Sequence, residues 1–262
     1  MELSLKGRTA MVGGSTQGIG RASAVQLAEQ GANIVLLARN MESLKRVRDF
    51  LDTSQGQQHE FLCLDYLDVE SFKQLVHEFM QNGPKVHILV NNTGGPAPGP
   101  INEAKPEEFT SAFSQHLICN HILAQAVKPG MIEDSFGRII NIISTSVKQP
   151  IPNLGVSNTV RAAVANWSKT LSSELAPYGI TVNNILPGAT YTSRLENLIT
   201  KKAEEQGKSF DEVKNEMENE IPAKRFADPR ETARAVGFLA SPASSYINGI
   251  NMPIDGGRTD SL

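Results

Sequence analysis

The chain has 262 residues, of which 40% are hydrophobic and 20% charged, and its formal net charge at pH 7 is −3. This length suits one large α/β domain over residues 1–262, with two small domains as the less favoured alternative, and the charge gives no electrostatic case for binding nucleic acid. No apolar run reaches the roughly 18 residues of a membrane span, and residues 1–6 lack a signal-peptide core, so we expect a cytoplasmic protein.

The first predicted elements are a strand over Thr9–Gly13, a helix over residues 21–30 and a second strand over Asn33–Ala38. The turn between strand and helix reads Gly13-Gly14-Ser15-Thr16-Gln17-Gly18-Ile19-Gly20. The whole unit spans about 30 residues, which is the size of a βαβ crossover. Glycines allow a pyrophosphate to approach the main chain, and free N–H groups at the helix start bind phosphate oxygens. The alternative is a tight glycine turn that binds no ligand.

Five further apolar strands are predicted at residues 60–64, 86–90, 138–143, 181–186 and 249–254, with helical segments between them. Several of these runs are continuously apolar rather than alternating, which is typical of strands buried on both faces of a parallel sheet. The sequence therefore predicts a Rossmann-type, doubly wound parallel sheet of about seven strands with helices on both faces. In such sheets ligands bind beyond the carboxyl ends of the strands.

Three other segments are informative. Residues 94–100 contain three glycines and three prolines and are expected to form a loop at the mouth of the site, or a plain connector in their second half. A helix over residues 158–176 aligns one apolar stripe, formed by Val160, Val164, Trp167, Leu171 and Leu175. Residues 194–220 are highly charged and are interpreted as a mobile substrate lid, with a solvated helical pair as the alternative.

Glycine and polar motifs follow successive strand ends. In chain order they are Gly14-x-x-x-Gly18-x-Gly20, Asp65, Asn91-Asn92-Thr93-Gly94, Asn141 to Ser144, Pro187-Gly188 and Asp255-Gly256-Gly257. Their order and spacing resemble those of the short-chain dehydrogenase/reductase family over nearly the whole chain. The resemblance implies a nicotinamide cofactor, hydride transfer to or from a carbonyl carbon, and a homodimer or homotetramer built partly through the helix near Asn158.

The cofactor half of the chain follows the family pattern. The resemblance implies cofactor-binding roles for Gly14, Ser15, Gln17, Gly18, Ile19, Gly20, Asp65, Tyr66, Asn92, Gly94, Pro187, Gly188 and Thr192. Family members that prefer NAD carry an acidic residue at the end of the second strand, where this chain has Arg39. Because a guanidinium suits a 2′-phosphate, NADP(H) is favoured over NAD(H). The alternative is that Arg39 is an ordinary surface charge.

The catalytic half departs from the family pattern. The family motif Tyr-x-x-x-Lys lies 13 residues after the active-site serine, and counting from Ser144 places Ser157 at the tyrosine and Arg161 at the lysine. His116 aligns with the catalytic asparagine. A serine alcohol is far less acidic than a phenol, whose pKa is about 10. Arg161 can still bind the nicotinamide ribose, but it does not share protons because an arginine pKa is above about 12.

Substitutes for the missing phenol are His116, whose ordinary pKa of about 6.5 suits proton transfer, Lys148, Tyr191 or a water chain. Each side chain also has a structural alternative: a satisfied interior histidine, a solvated lysine or a tyrosine packed on its loop. Cys63 and Cys119 are expected to be reduced, and the five histidines show no spacing typical of a metal site.

The resulting hypothesis is an NADP(H)-dependent carbonyl reductase or alcohol dehydrogenase, similar to 3-oxoacyl reductases, with an atypical proton donor. In this hypothesis Ser144 stabilises charge that develops on the oxygen of a small carbonyl or alcohol substrate. Two alternatives remain open from the sequence. One is a catalytically inactive regulatory or sensor module that binds the nicotinamide dinucleotide, and the other is an inert scaffold that acts through its oligomer surface. No metal, nucleic acid or membrane partner is expected.

Overall fold

Seven parallel strands form one sheet in the computed structural model, which describes residues 2–261. The spatial order is β3-β2-β1-β4-β5-β6-β7, and every neighbouring pair is parallel. The strands are β1 (Thr9–Gly13), β2 (Asn33–Ala38), β3 (His59–Cys63), β4 (Ile88–Asn91), β5 (Gly137–Ile142), β6 (Ile180–Pro187) and β7 (Asn251–Ile254). The predicted doubly wound parallel sheet is thus confirmed, with strand ends shifted by one or two residues.

Helices cover both faces of the sheet. They are α1 (Gly18–Glu29), α2 (Met41–Phe50), α3 (Val69–Asn82), α4 (Pro106–Phe113), α5 (Cys119–Glu133), α6 (Gly155–Leu175), α7 (Ser193–Gln206), α8 (Phe210–Asn219) and α9 (Pro229–Ala240). One apolar core lies between the sheet and α1, α2 and α9, and a second lies between the sheet and α3, α5 and α6. Neighbouring residues of β4 serve both cores, because Ile88 and Val90 face one layer and Leu89 faces the other. This arrangement explains why the strands are continuously apolar.

A row of asparagine amides crosses the carboxyl half of the sheet. The amide of Asn91 in β4 donates to Asn141 in β5 (2.8 Å), Asn141 donates to Asn184 in β6 (2.9 Å), and Asn184 donates to Asn251 in β7 (2.8 Å). Each of these residues is the register partner of the next. Because three of the four asparagines are buried, the row fixes the register and relative height of these strand ends, on which the site is built.

Two segments depart from regular strand and helix alternation. Residues 114–118 form a π-helical turn, Ser114–Ile118, between α4 and α5. Helices α7 and α8 enclose a small core of their own, with Leu195, Ile199 and Val213 at its centre. The expected apolar stripe of α6 is buried except for Trp167, which is half-buried. None of the helices within residues 2–261 combines the length and apolarity needed to cross a membrane.

Candidate active site

The glycine turn between β1 and α1 is built so that side chains are excluded from it. Gly14 has a φ of +55°, a conformation that L-residues rarely adopt. A Cβ atom on Gly14 would lie 2.7 Å from the amide nitrogen of Asn92, and a Cβ on Gly20 would overlap the carbonyl oxygen of Gly14. Internal packing therefore admits only glycine at these two positions of the turn.

Two other segments contact this turn, namely the end of β4 and the loop after β6. The Asn92 amide, which follows β4, donates to the carbonyl oxygen of Gly13 at 3.1 Å. Thr192, which precedes α7, accepts a hydrogen bond from the Leu195 N–H at 3.4 Å, and its methyl group would lie 3.2 Å from a Cβ on Gly18. The turn, the end of β4 and the loop after β6 therefore meet at one place, at the carboxyl edge of the sheet.

The start of α1 fits a dinucleotide diphosphate. Gln17, the residue that caps α1, is extended and exposed, and its side chain makes no cap hydrogen bond. The first turn of the helix carries no acidic residue. Free N–H groups at a helix start, on a main chain without side chains, are the donors that phosphate oxygens require. The residues present therefore match the cofactor that the sequence predicts.

The predicted cofactor-binding residues occupy different environments around this turn. Ser15 is buried and its hydroxyl donates to the Leu37 carbonyl at 3.2 Å, which ties the turn to β2, while Ile19 packs against the core. The Gly188 N–H donates to the Ile254 carbonyl at 2.9 Å, which holds the Pro187-Gly188 turn on β7. Gly94 is surrounded by open space, since a Cβ there would have no neighbour within 4 Å.

The predicted cofactor-binding residues that follow β2 and β3 differ in their exposure to solvent. Arg39 is exposed, and within the described part of the chain its guanidinium makes no ion pair or hydrogen bond. Asp65 is exposed and its carboxylate accepts from the Leu67 N–H at 3.0 Å. Tyr66, in contrast, points into the core with its ring 4.8 Å from Phe72, and burial raises the pKa of its hydroxyl.

Ser144 lies two residues beyond β5 in an extended conformation. Its hydroxyl oxygen accepts a hydrogen bond from the Ser146 N–H at 3.1 Å, which caps the short 3-10 helix Thr145–Val147. A hydroxyl that accepts from the main chain keeps its own hydrogen free to donate elsewhere. Ser144 is thus oriented to donate toward a ligand oxygen.

Ser157 and Arg161 lie one turn apart in the first half of α6, so they share one face of the helix. The Arg161 guanidinium is buried and donates to the Ile142 carbonyl at 3.0 Å, at the end of β5. Burial, together with the nearby charge of Arg194, lowers the pKa of Arg161 to about 10. The group therefore remains a cation at neutral pH, close to Ser144.

His116 lies in the π-helical turn and is 98% buried. Its Nδ1 is hydrogen-bonded to the Thr93 hydroxyl, while its Nε2 is buried without a partner among the described residues. Burial first, and then the charges of Arg161 and Arg194, lower the pKa of His116 to about 2. The imidazole is consequently neutral at physiological pH and does not hold a second proton for transfer.

The other two side-chain candidates for the proton donor are Tyr191 and Lys148. Tyr191 stacks on Phe226 with ring centroids 6.2 Å apart, and Lys214 lies 5.8 Å from the Tyr191 ring. The pKa of Tyr191 is raised, chiefly by its hydrogen bond to Glu196. Lys148 is half-buried and ends the short helix after Ser144, where its N–H donates to the Thr145 carbonyl at 2.9 Å.

The structure adds a residue that sequence reasoning missed. Arg194, in the first turn of α7, donates to the Pro96 carbonyl at 3.1 Å and lies over Gly95, where a Cβ would be 2.5 Å from its Nη1. One signal was present in the sequence. A cation in the first turn after a threonine cap is unfavourable toward the helix dipole, so its presence there indicates a role outside the helix.

Comparison with known proteins supports this architecture. A family model described as enoyl-(acyl carrier protein) reductase matches residues 14–259. The NADPH-dependent reductase BacG of Bacillus subtilis (strain 168) is 32% identical over 256 residues, which cover 97% of this chain and 99% of BacG. The 3-oxoacyl-[acyl-carrier-protein] reductase FabG of Vibrio cholerae is 33% identical over 257 residues, covering 97% of this chain and 98% of FabG.

A solved structure with the same architecture is that of L-sorbose reductase from Gluconobacter frateurii, complexed with NADPH and L-sorbose. It superposes with a TM-score of 0.94 at 30% sequence identity, and the match covers the whole of both chains. The similarity therefore includes the loops at the carboxyl edge of the sheet as well as the strands and helices.

Proposed function

The chain belongs to the short-chain dehydrogenase/reductase family, and from that membership we propose that it is an NADP(H)-dependent oxidoreductase acting on a carbonyl or alcohol substrate. The observation that carries the proposal is the glycine turn at Gly14, Gly18 and Gly20, which opens α1 at the same edge of the sheet as Ser144. Two relatives are consistent with this cofactor, since BacG is named as NADPH-dependent and the sorbose reductase is complexed with NADPH.

We propose that the cofactor is held by several strand ends. The diphosphate would bind at the glycine turn and the start of α1, and the 2′-phosphate would bind Arg39, whose guanidinium is free on the surface. Asp65 would hold the adenine, and the residues Asn92, Gly94, Pro187, Gly188 and Thr192 would surround the nicotinamide riboside. When bound, the nicotinamide supplies or accepts a hydride.

The residues of the chain then have separable roles. Ser144 donates its hydrogen bond to the substrate oxygen, because its own oxygen already accepts from Ser146. Arg161 provides a fixed positive charge beside Ser144 and a donor for ribose hydroxyls. His116 acts as a neutral group that positions ligand through Nε2, since its lowered pKa prevents it from storing a proton.

We propose that water delivers the proton, with Ser157 as a relay rather than a source. Three observations support this assignment: His116 is neutral, Tyr191 is engaged with Phe226, and a serine alcohol is too weak an acid to act alone. Lys148 is the remaining side-chain alternative. A Lys148→Gln variant with unchanged kcat supports water, whereas a loss of about 100-fold or more would assign the proton to the ammonium group.

A second candidate function is a nicotinamide-dinucleotide-binding sensor without turnover. It is favoured by one specific observation, the replacement of the family acid and its ammonium partner by Ser157 and Arg161. Titration with NADPH and NADH, followed by a screen of ketones, 3-oxoacyl thioesters and sugars for NADPH oxidation, separates the two functions. Binding together with turnover supports the enzyme. Binding without turnover on every substrate class supports the sensor, and absence of binding removes both.

We further propose that residues 1–262 act as one nucleotide-binding domain in which residues 194–220 cover the substrate. The separate small core of α7 and α8 supports this lid, because it allows the helical pair to move as a unit. Assembly as a homodimer or homotetramer is supported by exposed apolar side chains such as Phe113 at the end of α4. A cytoplasmic location agrees with the free thiols of Cys63 and Cys119. Light scattering of the purified protein tests the assembly.

A further inference from the structure

Positive charge accumulates at the substrate end of the site without a matching carboxylate. The Arg161 guanidinium is buried against the Ile142 carbonyl, and the Arg194 guanidinium lies against the Gly95–Pro96 backbone. Among the described residues, each of these side chains donates only to a main-chain carbonyl, and no acidic group contributes to the pKa of either. Arg161 is buried, whereas Arg194 is exposed. A buried cation such as Arg161 is unfavourable unless a counter-charge or ligand compensates it.

A single loop after β4 contacts both Arg194 and His116. Thr93 holds Nδ1 of His116, and three residues later the Pro96 carbonyl accepts from Arg194. Nε2 of His116 is buried without a partner among residues 2–261, so a polar atom is missing next to it. Lowering of the His116 pKa by both arginines agrees with their proximity.

Arg194 lies close to the backbone of Gly95. A Cβ on Gly95 would lie 2.5 Å from Nη1 and 2.9 Å from Nη2 of Arg194, so a side chain at this position would displace the guanidinium from its present place. Arg194 also lies in the first turn of α7, where a cation is disfavoured by the helix dipole. The guanidinium contacts the Pro96 carbonyl rather than a carboxylate, so its charge is left for a ligand.

We propose that the substrate is an anion, a carbonyl or alcohol compound carrying a carboxylate, and that Arg194 binds this carboxylate with Nε2–H of neutral His116 as a second donor. This inference rests on the proposed oxidoreductase function and adds its substrate class. The negative groups of the cofactor are assigned to the glycine turn and Arg39. They therefore leave Arg194 for the substrate, whose carbonyl oxygen binds Ser144.

The test uses matched pairs of oxo acids and their methyl esters, namely 3-, 4- and 5-oxo acids of six to ten carbons, with the full-length protein. We expect kcat/KM with NADPH to be about 10- to 100-fold higher for the acid than for its ester, as for a charge-assisted hydrogen bond. Arg194→Gln should remove this preference mainly by raising KM for the acid, and Arg194→Lys should keep part of it. Arg234→Gln, which removes an exposed arginine on α9 outside residues 194–220, is the matched control and should change nothing.

Calorimetry separates this proposal from the proposed function. The Kd for NADPH should change less than about threefold in Arg194→Gln. A larger loss of NADPH affinity with unchanged discrimination between acids and esters would assign Arg194 to the cofactor and overturn the proposal. Equal turnover of acid and ester by the unmodified protein would also overturn it.

If the protein neither binds NADPH nor turns over any pair, the proposed function fails on its own. The same acids are then titrated into the protein without cofactor. Binding that is lost in Arg194→Gln still supports the anion site. Absence of acid binding, or equal binding by both proteins, contradicts it.

Discussion

The cofactor half and the catalytic half of the site depend on different chemical groups of the chain. The cofactor half uses main-chain N–H groups and glycines, and the side chains around it, such as Asn92 and Thr192, brace the turn. The catalytic half uses side-chain charge and acidity, and there the sequence predicts that Ser157, Arg161 and His116 replace other residues of the family. The comparison teaches that backbone geometry can be retained while proton chemistry changes, because the two depend on separate residues.

The largest effect is expected from a change that disables the catalytic half alone. Ser144→Ala removes the donor to the substrate oxygen and should lower kcat by about 100- to 1000-fold. The Kd for NADPH should stay unchanged, because Ser144 does not contribute to the glycine turn. Steady-state kinetics and calorimetry measure the two quantities, and Ser173→Ala on the exposed side of α6 is the control. A parallel loss of NADPH affinity would show that the halves are not separable.

The converse change disables the cofactor half. Gly14→Val places a β-branched side chain at a φ of +55° and against the Asn92 amide, so NADPH affinity should fall by about 100-fold, or about 2.7 kcal/mol. Gly99→Ala is the control, since a Cβ on Gly99 meets no atom within 4 Å. Circular dichroism checks that both variants fold. Retained NADPH affinity in a folded Gly14→Val protein would mean that the nucleotide binds elsewhere.

A smaller effect is expected at the edge of the cofactor half. Arg39→Asp exchanges the proposed partner of the 2′-phosphate for a carboxylate that accepts from a ribose hydroxyl. The ratio of NADPH to NADH affinity should fall by about 30-fold, in the range of a charge-assisted hydrogen bond. Arg46→Asp, an exposed arginine on α2, should leave that ratio unchanged. An unaltered ratio in Arg39→Asp would show that this guanidinium does not contact the phosphate.

The smallest effect concerns His116 and stability. The folded state holds His116 neutral down to a pKa of about 2, whereas the unfolded chain protonates it near 6.5. Below pH 6.5 the unfolded state therefore binds more protons, and His116 should lower the unfolding free energy by about 1.4 kcal/mol per pH unit.

Urea denaturation at pH 5 and pH 7 measures this slope. His116→Asn should reduce the slope by this amount, while His121→Asn, on the exposed face of α5, serves as the control. If His116→Asn leaves the pH dependence of stability unaltered, the imidazole is protonated in the folded protein and is available as an acid. The assignment of His116 as a neutral positioning group rather than a proton donor would then be wrong.

Much of the fold was predictable because strands that are buried on both faces have a continuously apolar sequence, as in residues 139–143. The glycine turn was predictable for a related reason, since only glycine meets its conformational demands. The π-helical turn at His116 was not predictable, because it differs from an α-helix in hydrogen-bond partners rather than in residue pattern.

The substrate end of the site was the least predictable part. Arg194 and Pro96 are far apart in sequence, and the residues around each of them do not predict their contact. The depressed pKa of His116 depends in the same way on burial and on two arginines from other elements. The sequence suggested His116 as a proton donor because it aligns with a catalytic position and its ordinary pKa suits proton transfer, whereas burial lowers that pKa in the folded protein. The role itself stays a prediction until it is tested.

The most direct test of the proposed oxidoreductase function traces the hydride from NADPH to the product. The protein is incubated with NADPH deuterated at C4 of the nicotinamide, in separate samples for each face, and with the oxo acids, ketones and sugars named above. Mass spectrometry then locates deuterium in the products. The proposed hydride transfer predicts one deuterium on the new carbinol carbon, transferred from one face of the nicotinamide only. Products without deuterium from either face, in a protein that binds NADPH, would contradict hydride transfer and leave the sensor function.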